Sequence, residues 1–142
     1  IGGVCHTHSP AATAWAQACR EIPCFGTTHA DFFYGPVPLT EVMTKDTIKS
    51  DYELNTGRMI VRRFAGLDPM QFPAVLVANH GPFTWGKNAS AAVESMVVLE
   101  QIAAMALGTI TINPRQGSIS KALLDKHYLR KHGKNAYYGQ ET

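Results

Sequence analysis

PAVLVANHGPFTWGK, residues 73–87, is the stretch on which the fold turns. Its first half is apolar without interruption, the pattern of a strand buried on both faces. Asn79, Gly81 and Pro82 then break the run, and the FTWGK that follows reads as a turn leading into a second strand. His80 sits where the first strand gives way to the turn, at the edge of the expected sheet.

Outward from this hairpin the chain alternates between helical and extended patterns. Asn88 is placed to cap a long apolar helix from Ala89, and Gly108 is its expected end. On the N-terminal side, 51–64 has helical spacing through Leu54, Met59, Ile60 and Val61, weakened by Gly57. TTHADFFYGPVP, 27–38, reads as an irregular connection, because Pro36 and Pro38 exclude regular helix. The chain opens on a short strand, Ile1 to Thr7, followed by a helix to about Arg20 with Ser9 at the N-cap and Pro10 at its first position. SISKALLDKHYLRKHG, 118–133, is a last helix stopped by Gly133, and a polar tail with two tyrosines follows. Mixed strands and helices without regular βαβ alternation predict an α/β layered fold around one sheet.

Length and composition bound the function. A chain of 142 residues is expected to form a single domain, 1–142, with a respectable core. A net charge of +2 is too small to point to nucleic acid or an anionic membrane as a partner. Cys5, Cys19 and Cys24 form an odd set without a Cys-x-x-Cys, which favours free thiols in a reducing cytoplasm. Glu94, Glu100 and Gln101 inside the long apolar helix argue against a membrane span. The chain begins directly on strand-like sequence without an initiator Met, so it is expected to be a piece of something longer.

Three groups of residues can carry chemistry. His6 and His8 stand two apart in CHTHSP; on a strand they project from one face, and a third imidazole from His80 would complete a zinc-type donor set. A His-x-His pair at a strand end is equally often a solvated polar terminus. Asp31, in THADFFYG, can act as an acid or base with a raised pKa on a partly apolar loop, or simply cap the local turn. His127 and Arg130 share a face of the last helix and can meet an anion together, although cations there also complement the helix dipole. Tyr137 and Tyr138 are packing residues or proton donors.

GGVCHTHSP, GTTHADFFYG, HGPFTWGKNA and LLDKHYLRKHGKNAYYGQ together resemble the L-ribulose-5-phosphate 4-epimerases, within the wider class II aldolase and adducin-like family. The resemblance runs through nearly the whole chain and implies a three-layer αβα sandwich around a central, mainly antiparallel sheet. It implies a zinc ion, or another divalent metal, held by His6, His8 and His80. It implies Asp31 and Tyr138 as an acid/base pair, the tyrosine arriving from a neighbouring subunit of a homotetramer. His127 and Arg130 would lie on the helix that reaches the adjacent site. The implied reaction inverts C4 of a ketopentose 5-phosphate, as in arabinose or ascorbate catabolism. The alternatives are a class II sugar-phosphate aldolase of the fuculose- or rhamnulose-1-phosphate type and a non-catalytic adducin-like module. Family members carry an N-terminal portion with phosphate-binding loops and a further carboxylate, and neither is in these 142 residues.

Overall fold

A computed structural model describes residues 1–139. Its centre is an antiparallel sheet of β1 (Gly3–His6), β2 (Ala74–Val77) and β3 (Gly81–Gly86) in the order β1-β3-β2. The helices are α1 (Pro10–Gln17), α2 (Thr27–Ala30), α3 (Lys45–Lys49), α4 (Tyr52–Arg63), α5 (Ala89–Ile112) and α6 (Lys121–His132). The hairpin forms where the sequence predicts, but its turn is shorter: Gly81 and Pro82 already belong to β3, Val77 pairs with Gly81 across a three-residue loop, and Asn79 takes the left-handed position there with φ 60°. All of β2 is buried, in keeping with its unbroken apolar run.

The pleat sorts β1 and β3 into two faces. Cys5 pairs with Thr84 on the face beneath α5, where the Thr84 hydroxyl donates to Ala92 O at 2.8 Å. Val4, Phe83 and Trp85 look the other way, towards α4, and Trp85 meets Phe64 edge-on at 4.9 Å. Helices thus flank the sheet on both sides, giving the expected layered arrangement. The core fills the α1–α5 side with Ala12, Trp15, Ala16, Leu76, Met96, Leu99, Ile102 and Ala103. Gly3 and Gly86 let α5 come close: a Cβ at either would stand 2.6 Å from an α5 atom, Ala89 N and the Ala91 Cβ respectively.

Two local expectations are corrected, those for Gly108 and for 27–38, and the one for Gly133 is met. Gly108 does not end α5, which runs on to Ile112; past the glycine, Thr109 and Thr111 return their hydroxyls to Met105 O and Leu107 O at 2.8 Å. Gly133 does stop α6, but with extended backbone (φ −76°, ψ 168°) rather than a left-handed turn; a Cβ would meet Leu129 O at 2.6 Å. The 27–38 segment is not wholly irregular. Thr27–Ala30 forms one helical turn, and Val37 and Leu39 bridge to Ile22 and Leu76, laying the proline-rich chain alongside β2.

α5 is long and apolar enough to cross a membrane by length and composition. Its apolarity has a local cause, since Ala92, Met96, Leu99, Ile102, Ala103 and Ala106 form its core face. Val93, Val97, Met105 and Ile112 remain exposed on the other side. Glu100 of this helix accepts the backbone N–H groups of Ala11 and Ala12 at 2.7 and 2.9 Å, closing the N-terminus of α1 in place of the Ser9 side chain. Burial pushes the Glu100 pKa up, but the bonds from Ala12 and Ala11 outweigh it and hold the carboxyl below its ordinary 4.5. A depressed folded-state pKa means a contribution present above 4.5 and lost as pH falls through the folded value. The melting temperature of Glu100→Gln is therefore expected to fall less steeply between pH 6 and 3 than that of the parent, measured by circular dichroism. An unchanged acid slope would contradict this cap.

Candidate metal and acid/base site

His6 is the last residue of β1, paired with Phe83 and stacked on its ring at 4.1 Å between centroids. The strand ladder ends there rather than at Thr7. The next position on β3 is Pro82, which has no N–H to donate. The backbone stays extended in its alternation, with Cys5 and Thr7 half-buried and His6 and His8 exposed. His8 therefore arrives on the same side as His6 although it lies beyond β1. His80 comes from the hairpin loop at the end of β2. The three rings converge: centroids are 5.1 Å apart for His6–His8, 4.8 Å for His6–His80 and 5.1 Å for His8–His80. One ring nitrogen from each lies within 4.8 Å of the other two.

The donor set suits a divalent cation. The His6 Nδ1–H donates to Pro82 O at 2.9 Å, and since a carbonyl only accepts, the lone pair is left on Nε2. Burial, and then the positive charge that His6 and His8 would carry, push the His80 pKa down, which keeps that ring neutral and able to ligate. Three converging imidazoles match the protein donor set of the usual catalytic zinc site, which takes three protein ligands. A tetrahedral ion with bonds of about 2.1 Å places its nitrogens roughly 3.4 Å apart, a closure that small rotations of the exposed His6 and His8 rings can supply.

Gly81 leaves room for this gathering. A Cβ there would stand 3.1 Å from Thr7 O and 3.3 Å from the His8 ring. The Tyr52 hydroxyl, from the first residue of α4, lies 3.4 Å from His80 Nδ1. Nothing in the periodicity of 51–64 marks Tyr52, because its neighbour is a loop residue from a different part of the chain.

Asp31 belongs to a second cluster. It follows α2, and α6 grips it from several directions: His127 Nδ1 donates to Oδ1 at 3.0 Å, and Arg130 Nη2 reaches both oxygens at 3.1 and 3.2 Å. Lys131 Nζ stands 3.7 Å from Oδ2, and His132 Nε2 donates to the Asp31 carbonyl at 2.9 Å. The Tyr138 ring lies over the Arg130 guanidinium at 4.2 Å. The α6 cations are thus not merely complementing a helix dipole. The expected rise in the Asp31 pKa is also corrected: burial does push it up, but the bonds from His127 and Arg130 and the charges of Lys131 and Arg130 prevail, and the carboxyl sits below its usual range. His29, close by in sequence, is structural. It is buried, donates to Gly35 O at 2.8 Å, and burial lowers its pKa to about 4.

α6 docks where Tyr34 stacks on Tyr128 at 4.6 Å and bonds Asp125 at 2.6 Å. The Tyr34 backbone N–H donates to Gln71 O, before β2 begins, whereas His80 follows the end of β2. At roughly 3.3 Å per residue, the strand between these two points is about 13 Å long. The α6 docking point and the histidines therefore lie at opposite ends of β2.

With this geometry in view, comparison with known proteins decides the family. The family described as the class II aldolase and adducin N-terminal domain matches residues 1–107, three-quarters of the chain and all three histidines. The chain belongs to the class II aldolase and adducin family. Among solved structures, this family member is similar to an L-fuculose 1-phosphate aldolase, with 18% identity and a TM-score of 0.65 over 87% of this chain and 52% of that one. It is also similar to the L-fuculose 1-phosphate aldolase of Glaciozyma antarctica PI12, with 16% identity and a TM-score of 0.64 over 94% and 45% of the two chains. A third, YgbL of Klebsiella pneumoniae, described as a candidate aldolase/epimerase/decarboxylase, gives 23% identity and a TM-score of 0.59 over 87% and 55%. These likenesses establish a class II aldolase-like fold. The chain spans about half the length of the structures it matches. α6, with His127, Arg130 and the tyrosines beyond it, lies outside the family match.

Proposed function

We propose that this class II aldolase family member is a divalent-metal-dependent, most simply zinc-dependent, epimerase of ketopentose 5-phosphates, converting L-ribulose 5-phosphate to D-xylulose 5-phosphate. The observation that carries the reading is the convergence of His6, His8 and His80. A cation held by these three rings supplies Lewis-acid polarisation of the substrate's carbonyl oxygen.

The chain's own residues have a separate task. C4 of a 2-ketose has no acidic C–H, so inversion by direct deprotonation is a poor route. Removing the C4 hydroxyl proton instead lets C4 become an aldehyde as the C3–C4 bond breaks, its electron pair staying on C3 conjugated with C2. Rotation of the glycolaldehyde phosphate and re-addition from the other face restores the bond, and a proton returns to the new C4 oxygen. In this reading Asp31 and Tyr138 exchange that proton, one on each face of the aldehyde. Asp31, a carboxylate whose pKa lies below its usual range, takes the acceptor's part as the weaker base its partners make it, and the Tyr138 hydroxyl serves as the donor. His127 and Arg130 orient Asp31 and meet the anionic substrate.

The separation of the histidines from the α6 docking point supports a site completed between copies, one chain supplying the imidazoles and a neighbour the Asp31–Tyr138 cluster. The exposed apolar side of α5, with Val93, Val97, Met105 and Ile112, offers surface for such self-association into the expected tetramer. A second reading, an aldolase that releases both fragments, draws on the two fuculose-1-phosphate aldolases among the structural likenesses. Zinc-loaded protein incubated with L-ribulose 5-phosphate separates the two. Accumulating D-xylulose 5-phosphate supports epimerisation; free glycolaldehyde phosphate and dihydroxyacetone support the aldolase. Absence of both from metal-loaded protein would overturn the proposal.

A further inference from the structure

We infer that Tyr52 is a positioning residue for the metal site, its hydroxyl accepting the Nδ1–H of His80 and so presenting the Nε2 lone pair of that ring to the cation. The inference rests on the metal reading above and adds a residue to it. It starts from the hydroxyl 3.4 Å from His80 Nδ1, the longer kind of contact expected before a ligand draws a site together.

The two partners are anchored independently, so their meeting is not a chance of one flexible loop. Tyr52 opens α4, and its carbonyl accepts the Thr56 hydroxyl at 2.9 Å. Thr56 and Met59 are buried beneath that helix, which packs towards β2. Asn55 ties the same turn to Thr47 O and to Ser50 Oγ at 3.0 and 2.9 Å. His80 is set by the hairpin loop, where its backbone N–H donates to Val77 O at 3.0 Å and the neighbouring Asn79 N–H to Ala16 O at 2.9 Å.

The comparison with His6 sharpens the assignment. His6 gives its Nδ1–H to the Pro82 carbonyl, the outer-nitrogen contact that metal-binding imidazoles nearly always make. His80 has the Tyr52 oxygen in the corresponding place. With both outer nitrogens engaged, the tautomers of two rings from separate strands are set before the ion arrives. An unbiased His80 would spend part of its time with the proton on the nitrogen that must ligate.

Tyr52→Phe in the whole chain tests this without removing a ligand. Zn2+ affinity by chelator competition is expected to weaken about 10–100-fold, the usual consequence of losing an outer-nitrogen partner, while the metal-free protein melts at the same temperature. Nitrogen chemical shifts of the metal-free protein are expected to report His80 with Nδ1 protonated in the parent and as a mixture of tautomers in Tyr52→Phe. The visible spectrum of the Co2+-loaded variant is expected to shift, which loss of simple packing would not produce. His80→Ala keeps the two ideas apart. If the parent binds metal through His80 but Tyr52→Phe binds as tightly with the same His80 tautomer, the Tyr52 assignment fails alone; if the parent binds no metal, the metal reading falls with it.

Discussion

Replacing His80 with alanine is expected to weaken Zn2+ binding by about 10²–10³-fold, with the metal-free protein still folded. The size follows from dividing the free energy of a four-ligand zinc site. About 10–16 kcal/mol shared among four ligands leaves roughly 2.5–4 kcal/mol for each. His80 makes the best single test because it joins the set from the hairpin, 72 residues beyond His8 in the sequence. His6 and His8 alone form a two-donor chelate of the kind any solvated strand end can offer. The substitution also leaves the core intact, since His80 is half-buried at the sheet edge and the β2 residues before it carry the packing. Isothermal titration of the metal-free variant and parent gives the ratio directly. Equal affinities would show that the three rings do not act as one donor set.

The second large effect concerns turnover. Tyr138→Phe is expected to slow epimerisation by about 10²–10⁴-fold, the usual contribution of a positioned proton donor, while zinc affinity stays unchanged. Tyr138 is preferred to Asp31 for this measurement because its ring, half-exposed over Arg130, is kept in phenylalanine. Asp31→Asn would remove the carboxylate that His127, Arg130 and Lys131 share, so a loss of rate there would mix chemistry with loosening of α6. The pH profile of the parent carries a related expectation. With its carboxyl held below 3.8, Asp31 stays ionised throughout the neutral range, and any acid limb it contributes lies below that value. Stopped assays of D-xylulose 5-phosphate formation follow both quantities. Full turnover by Tyr138→Phe would remove the phenol from the mechanism.

Legibility in the sequence followed the reach of the physics involved. The β2–β3 hairpin could be read because the unbroken apolar run and the break at Asn79 are local signals, although Gly81 and Pro82, read as part of the turn, already belong to β3. The projection of His6 and His8 to one side could be read from the two-residue period of extended chain, although the ladder itself stops one residue after Cys5. Gly108 misled, because glycine alone costs a helix only about 1 kcal/mol, too little to end a 24-residue helix packed on the sheet. The grip of α6 on Asp31 had no local signal at all. Those bonds join residues 96 to 101 apart, and only the docking of Tyr34 on Tyr128 and Asp125 brings them together. The direction of the Asp31 pKa went wrong for the same reason: burial was visible in THADFFYG, and the His127, Arg130 and Lys131 partners that outweigh it were not. Tyr52 escaped notice because its value lies in facing a loop from another strand.

X-ray absorption at the zinc edge of the loaded protein tests the central claim most directly. The account predicts a first shell containing three imidazole nitrogens at about 2.0–2.1 Å, reduced to two in His80→Ala. A shell without those three imidazoles, or one unchanged when residue 80 is replaced, would contradict it.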